Sequence, residues 1–410
     1  MASSPRQGRI TRLLPASLVE FLKLEAAGSL VLMGATVLAL AWANSPWQGG
    51  YDSLWATEIS INFGGLHLTE DLRHVVNDGL MTVFFFVVGL EIKSELVNGA
   101  LQDRRAAALP AFGALGGMLV PAGLYLLLNA GGEGSTGWGI PMATDIAFAV
   151  GVISLLGSRV PSDLRLFLLT LAIVDDIGAI AVIALFYTAD LSVGWLAIAA
   201  LLLAAVILVR GVGVTNLPVY VLLGTVAWFA TFESGVHATI AGVTLGLITP
   251  ARPTKREPRP VAQRLEHALH PWSSFGIIPL FALANAGIAL GADDVSDALA
   301  SPVAQGIVLG LLAGKVLGIS GAAWLAVRLG AARLPEGARW VQVVGIGFIA
   351  GIGFTVSLFI TGLAFDTDRL EAPAKTGILV GSVLAAAIGA VVLRAAAAVE
   401  PVRPTGERRR

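Results

Sequence analysis

Asp175 and Asp176 stand side by side in the middle of a run, 163–188, whose other residues are almost all apolar. A carboxylate at the centre of a membrane-spanning helix costs roughly 2.5–3.5 kcal/mol on insertion scales, so the pair asks for roughly 5–7 kcal/mol. Packing alone has no use for such a cost, and an ionisable residue at membrane depth is by default a functional group. Two adjacent carboxylates suit a site that holds protons, cations or both. Asp145 lies halfway along a second apolar run, 134–156, and Lys315 halfway along a third, 304–327. The four residues therefore share one depth, near the bilayer midplane. Three acids and one base can pair only in part, which leaves capacity for a bound cation or for protons. Two plainer roles stay open: Lys315 as a structural counter-ion, and Asp145 as a cap for interrupted backbone. Glu91 and Lys93 lie near the end of their run, where snorkelling makes charge cheap.

Backbone irregularity points to the same depth. Gly139 and Pro141 shortly precede Thr144-Asp145, and Gly345, Gly347, Gly351 and Gly353 crowd the run 341–364 ahead of Thr355 and Ser357. Glycine and proline at membrane depth suggest interrupted helices, tolerated where the freed backbone groups face protein or a wet cavity. Half-helix ends carry partial charges, so carbonyl ends could help coordinate a cation while Asp145 and Lys315 balance the dipoles. Close helix packing through small residues is the competing use of these glycines.

The elements that must hold these residues follow from composition. Of 410 residues 56% are hydrophobic and 13% charged, against about 25% charged in a soluble domain, so the chain reads as an all-α, polytopic membrane protein. There is no cysteine, which removes disulfides and thiolate chemistry. No basic domain for nucleic acid is present, and no Walker-type nucleotide motif. About twelve apolar runs can be counted: 24–44, 72–98, 108–129, 134–156, 163–188, 194–211, 217–230, 235–248, 268–286, 304–327, 341–364 and 372–398. Arg6, Arg9, Arg12, Arg105, Arg159, Arg210, Arg252, Arg328, Arg333 and the Arg408–Arg410 tail fall on one side of these runs. Glu133, Asp190, Glu233, Asp293, Asp294 and Asp297 fall on the other, with only Arg73, Arg369 and Lys375 as basic residues near them. Lys and Arg mark the cytoplasmic side, so both termini are expected inside, which requires an even number of spans.

The chain divides into a cytoplasmic N-terminal segment, 1–23, one transmembrane domain, 24–398, and a basic cytoplasmic tail, 399–410. The apolar run near Ala26–Ala43 ends in Ala-Trp-Ala, which resembles a signal cleavage site, but it is long enough to span and is expected to remain as the first helix. Between the first two runs, Ile59, Ile61 and Phe63 alternate ahead of Gly64-Gly65, with Leu66 and Leu68 beyond. This pattern predicts a β-hairpin at about 58–69 on the outer, periplasmic side. A lone hairpin is marginal, so it is expected to pair with something, a second copy of the chain being the candidate.

With these residues in place, the chain resembles the NhaA-type sodium/proton antiporters of bacterial inner membranes, from about Leu22 to Val392. The stretches that carry the resemblance are 143–149 (ATDIAFA), 157–161 (GSRVP), 171–180 (LAIVDDIGAI), 184–188 (ALFYT), 234–239 (SGVHAT), 264–267 (RLEH), Gly314-Lys315 with 317–319 (LGI), and 351–355 (GIGFT). The resemblance implies inverted repeats and two interrupted helices that cross at the midplane, an architecture for which this family is a standard example. It further implies that Asp175 and Asp176 are the Na+- and proton-carrying carboxylates. Thr144 and Asp145 would lie at the helix crossing, and Lys315 would pair with Asp175 until a cation displaces it. Glu91, Glu266, His267 and, by a looser match, His237 would belong to a pH response at the cytoplasmic funnel. The hairpin, Ile59–Leu68, would be the contact of a homodimer. Where family members carry basic residues this chain has Ser94 and Gln263, and Val316 replaces a proline; the core is intact and the pH-response network is thinner.

The expected activity is electrogenic exchange of cytoplasmic Na+ or Li+ for external H+ in a bacterial inner membrane, with no resident cofactor and no partner beyond lipid and a second copy. Hard oxygen ligands suit Na+ or Li+, and protons compete for the same carboxylates. Two other classes compete. A membrane-embedded enzyme could use paired aspartates, but no further acid lies close after Asp175-Asp176 and no Gly-x-Gly-Asp is present. A passive cation channel would show no proton coupling.

Overall fold

The computed structural model describes residues 16–63, 66–188, 191–212, 214, 217–252, 260–335 and 337–398. The N-terminal arginines, the turn Gly64-Gly65, residues 253–259 and the basic tail lie outside the described residues. The fold is mostly helical, with one two-stranded sheet.

Seven helices are long and apolar enough to cross a membrane: Glu25–Ala43, Leu72–Asn98, Arg105–Asn129, Ser162–Phe186, Val193–Gly211, Pro302–Arg328 and Asp368–Ala398. Two more spans are bent pairs, Glu133–Met142 with Ile146–Leu156 at 42° and Trp340–Ile349 with Phe354–Ala364 at 50°. Length and composition thus support seven to nine spans among the described residues, short of the twelve apolar runs. The remaining three runs differ for physical reasons. Two form helices of only 16 and 10 residues, Leu217–Phe232 and Thr239–Ile248, short of the ~20 that a straight crossing needs at ~1.5 Å per residue. The third begins inside an amphipathic helix, Val261–Trp272, and continues through a π-turn, Ser273–Ile277, into Ile278–Asn285.

The predicted hairpin is present. Strands β1 (Glu58–Phe63) and β2 (Leu66–Asp71) pair antiparallel from Glu58↔Asp71 to Phe63↔Leu66. The second strand runs two residues beyond the expected Thr69, until Asp71 accepts the His74 N–H and caps the following helix.

Both interruptions occur where glycine and proline predicted them, but the glycines divide their labour. The first break follows a 3-10 stretch, Glu133–Met142, that contains Pro141, and the backbone at Ala143 is extended. The second opens at Gly351–Gly353, between Trp340–Ile349 and Phe354–Ala364. A Cβ on Gly351 would stand 2.3 Å from the Leu311 carbonyl oxygen. Gly345, in contrast, lies inside its helix, and a Cβ there would meet the Leu393 side chain at 2.7 Å. Interruption and close packing are both realised, at different glycines of one run.

Small residues also bring the long helices together. A Cβ on Gly116 would lie 2.2 Å from the Gly318 carbonyl oxygen, and one on Gly318 would lie 2.1 Å from that of Gly116. The Arg104–Asn129 helix therefore runs in backbone contact with Lys315–Arg328. A π-turn, Gly310–Gly314, ends immediately before Lys315, and such turns are frequent at functional sites.

Candidate functional site

Asp175 and Asp176 lie near the middle of the unbroken Ser162–Phe186 helix, a rigid support between the two interruptions. Lys315 is fully buried, Asp175 is 1% exposed and Asp176 9% exposed. The Lys315 ammonium donates to Asp175 Oδ2 at 2.8 Å and to Thr144 Oγ1 at 3.0 Å. Thr144 Oγ1 in turn donates to the Ala350 carbonyl at 2.9 Å, which ties the lysine to the second interruption. Asp175 Oδ1 is buried with no hydrogen-bond partner among the described residues.

Asp145 is spent on backbone. Its N–H donates to the Ile352 carbonyl at 2.6 Å. Its Oδ1 accepts the Phe148 N–H at 3.0 Å, and Oδ2 accepts the N–H and hydroxyl of Thr355 at 2.8 and 2.6 Å. One carboxylate thus caps the first turns of both half-helices, Ile146–Leu156 and Phe354–Ala364. Each helix N-terminus carries about half a positive charge, so the negative charge of Asp145 stands where both dipoles converge. Of the two roles open for Asp145, the geometry is that of the cap.

Asp176 is the carboxylate left over. It lines a narrow cavity of about 50 Å³ together with Glu25, Glu91, Thr144, His270 and Thr355. That volume exceeds the ~10–15 Å³ that holds one water, so it admits a small hydrated or partly dehydrated ion. The oxygens of Asp175, Asp176 and Thr144 are hard donors of the kind alkali and alkaline-earth cations prefer. Among the described residues no three His, Cys, Asp or Glu side chains gather as a metal-binding group.

The residues assigned to pH response do not form one cluster. Glu91 lines the same narrow cavity as Asp176. Glu266 stands ahead of the apolar run 268–286, with Oε2 buried and without a hydrogen-bond partner among the described residues. Burial, reinforced by the Glu95 charge and opposed by His270, pushes the Glu266 carboxyl up to about 7. His267, on the same helix, is exposed. His237 does not join them. Its Nε2 lies 2.5 Å from the carbonyl oxygen of Tyr187, which closes the far, C-terminal end of the aspartate helix. A histidine read from its motif alone carries no depth, and this one belongs with the end of the bundle opposite Glu266.

Two residues escaped the sequence reading. Glu25 and His270 form a close pair, Nε2 to Oε1 at 2.7 Å, in the wall of the Asp176 cavity. Each sits at the edge of an apolar run, where charge is cheap and carries no warning. Tyr187, part of the ALFYT stretch, has a positioning role: its hydroxyl donates to the Thr136 carbonyl at 2.7 Å and accepts the Gly139 N–H at 3.1 Å, anchoring the 3-10 stretch of the first broken span.

The chain is similar to known proteins along most of its length. The profile of the family described as Na+/H+ antiporter 1 matches residues 19–393. A Na(+)/H(+) antiporter NhaA of Rhodopirellula baltica is 47% identical over 407 aligned positions, covering 90% of this chain and 91% of the relative. One of Shewanella sp. strain ANA-3 is 49% identical over 372 positions, covering 90% and 95%. The Na(+)/H(+) antiporter NhaA 3 of Frankia alni is 45% identical over 429 positions, covering 96% and 92%.

Proposed function

This chain belongs to the Na+/H+ antiporter 1 family of multi-pass membrane transporters, and from that premise we propose that it exports cytoplasmic Na+, or Li+, in exchange for external protons. The observation that carries the reading is the asymmetry of the aspartate pair. Asp175 is engaged by Lys315, while Asp176 faces a cavity with no hydrogen-bond partner of its own among the described residues. A cation reaching Asp176 can recruit Asp175 and Thr144 as further oxygen ligands, releasing the Lys315 ammonium from Asp175. Protons and the cation compete for the same carboxylates. On the acidic outer side protons win and the cation leaves; on the more alkaline inner side the protons leave and the cation enters. Asp175 and Asp176 offer two carboxylates to protons and one site to a singly charged ion, so an exchange that empties both moves net charge and the cycle is electrogenic. The two proton steps belong to the coupled site and not to one residue.

Alternating access requires a bundle that can rock around a fixed site. The two bent spans that cross at Thr144–Asp145 and Ala350–Ile352 support a pair of inverted repeats of the kind found in such transporters. Counting the two short helices and the helix through Ser273–Ile277 as crossings gives twelve spans, which is consistent with both termini in the cytoplasm and the arginine-rich loops inside. The Glu25–His270 pair and Glu266 stand in reach of protons moving towards Asp176, which supports regulation by cytoplasmic pH. The hairpin is suited to the contact of a homodimer.

The test is transport by the purified chain in liposomes with an imposed proton gradient. Sodium should release protons through the wild type and not through Asp176→Asn, and a membrane potential should change the rate. A wild type that moves no protons at any pH, or moves Na+ equally well without them, would reject exchange at this site.

A further inference from the structure

A cavity larger than the one beside Asp176 lies elsewhere in the bundle. It holds about 690 Å³ and opens at the arginine-rich end of the bundle, between the starts of the Arg104–Asn129 and Ser162–Phe186 helices and the loop after Lys315–Arg328. Such a volume falls within the ~300–1,000 Å³ of ordinary small-molecule sites. Its rim carries Arg105 and Arg333, both exposed and neither in an ion pair among the described residues. Asp163 also reaches the rim, but it lies in the first turn of its helix, where its charge answers the positive end of the dipole. The rim is left cationic.

Below the rim the chemistry changes. Leu109 and Phe167 form apolar walls, and Thr170 lies deeper along the aspartate helix. Thr170 is 4% exposed, lines the cavity, and its hydroxyl makes no hydrogen bond among the described residues, not even to the carbonyl four residues back. A hydroxyl that opens onto the cavity without a protein partner among the described residues is available to a ligand there. The mouth is apolar too: Leu166, in the lining, is 42% exposed, and Leu329, next to Gly330 of the wall, is 74% exposed. Exposed apolar side chains beside a basic rim mark a lipid-facing opening, not a watery one.

We propose that this cavity binds an anionic phospholipid of the cytoplasmic leaflet, with its phosphate between Arg105 and Arg333, a headgroup or ester oxygen at Thr170 and acyl chains along Leu109, Phe167 and Leu166. Basic pockets between membrane helices on the cytoplasmic side recognise anionic headgroups by this combination of charge and depth. A free anion would gain the arginines but nothing from the apolar walls and mouth. The bound lipid bridges three segments of the bundle that carries the ion site, and Thr170 lies little more than one helical turn before Asp175.

The leaflet assignment rests on the orientation proposed above, and the experiment separates the two. The purified full chain in detergent micelles is titrated with phosphatidylglycerol, with phosphatidylcholine of the same acyl chains, and with inorganic phosphate, and bound lipid is read by native mass spectrometry. Phosphatidylglycerol should be retained preferentially. R105A combined with R333A should weaken it roughly 30-fold, about fivefold for each arginine near a membrane surface. R105K with R333K should restore most of the binding, and T170V should lose about fivefold. The melting temperature without added lipid, unchanged in the arginine variants, shows that they fold. Equal retention of the two lipids, or equal phosphatidylglycerol binding by wild type and R105A/R333A, would overturn the proposal. Full competition by phosphate would reassign the site to a free anion. Orientation is read independently in this cysteine-free chain by the accessibility of Ala331→Cys in intact cells; labelling from outside would reject the leaflet and leave the binding result standing.

Discussion

Asp145 and Thr355 are joined by two hydrogen bonds, from the Thr355 N–H at 2.8 Å and from its hydroxyl at 2.6 Å to a single carboxylate oxygen. The other oxygen caps the helix that Asp145 itself begins. The two broken spans are thereby fastened to each other through one side chain.

Asp145→Asn keeps one acceptor oxygen and loses the charge, so it should fold but transport poorly. Asp145→Ala orphans the buried donors of both half-helices, at about 1–3 kcal/mol each. Melting curves in detergent should place Ala well below Asn, and Asn below wild type. Equal stability of Ala and Asn would mean that the cap is dispensable.

Lys315 and Asp175 form a buried ion pair at 2.8 Å. Removing one partner leaves a buried charge, at roughly 3–5 kcal/mol, whereas replacing both is often neutral. Lys315→Met should therefore destabilise strongly, and the double variant Lys315→Met, Asp175→Asn should recover most of the stability. Liposome assays should show that it does not recover proton-coupled Na+ transport.

Glu266 gives a pH signature. Its carboxyl is raised from 4.5 to about 7 in the folded chain, chiefly by burial. A raised carboxyl favours the folded state fully below its unfolded value and loses that advantage as pH rises through the folded one. Stability should fall by the order of 3 kcal/mol between pH 4.5 and above 7. Glu266→Gln should flatten that part of a melting-temperature profile; an unchanged slope would assign it to other groups.

Gly318→Val places a branched side chain against the Gly116 carbonyl, 2.1 Å from where its Cβ must go. Overpacking costs typically 1–3 kcal/mol, and contact with backbone puts this case at the upper end. The variant should melt early and lose transport, because the helix that carries Lys315 must move. Gly321→Val, with open space around it, is the matched control and should stay close to wild type.

Much of this was readable from one rule applied repeatedly. Asp175, Asp176, Asp145 and Lys315 stood out because ionisable groups are costly at membrane depth, and the structure brings Thr144, Asp175 and Lys315 into hydrogen-bond contact. The rule is blind wherever charge is cheap, so Glu25 and His270 went unseen at the edges of their runs. It has no sense of direction either, and His237 was grouped with residues at the opposite end of the bundle. The rim of the large cavity escaped for a related reason: arginines in loops are ordinary, and only the packing of three segments leaves Arg105 and Arg333 above an apolar pocket.

The sequence by itself determined the apolar, mostly helical class, the hairpin, the sites of interruption and the four ionisable residues in the middles of their runs. Those follow from local properties: apolar length, alternation, turn residues and the cost of burying charge. Only the tertiary structure decided which charge does what. Asp145 became a cap because Thr355, 210 positions away, meets it across the helix crossing, and Asp176 stayed uncommitted because Lys315 reaches Asp175 instead. Neighbours on one helix differ in direction by about 100°, and the distant segment that fills each direction is settled by packing, not by position in the chain.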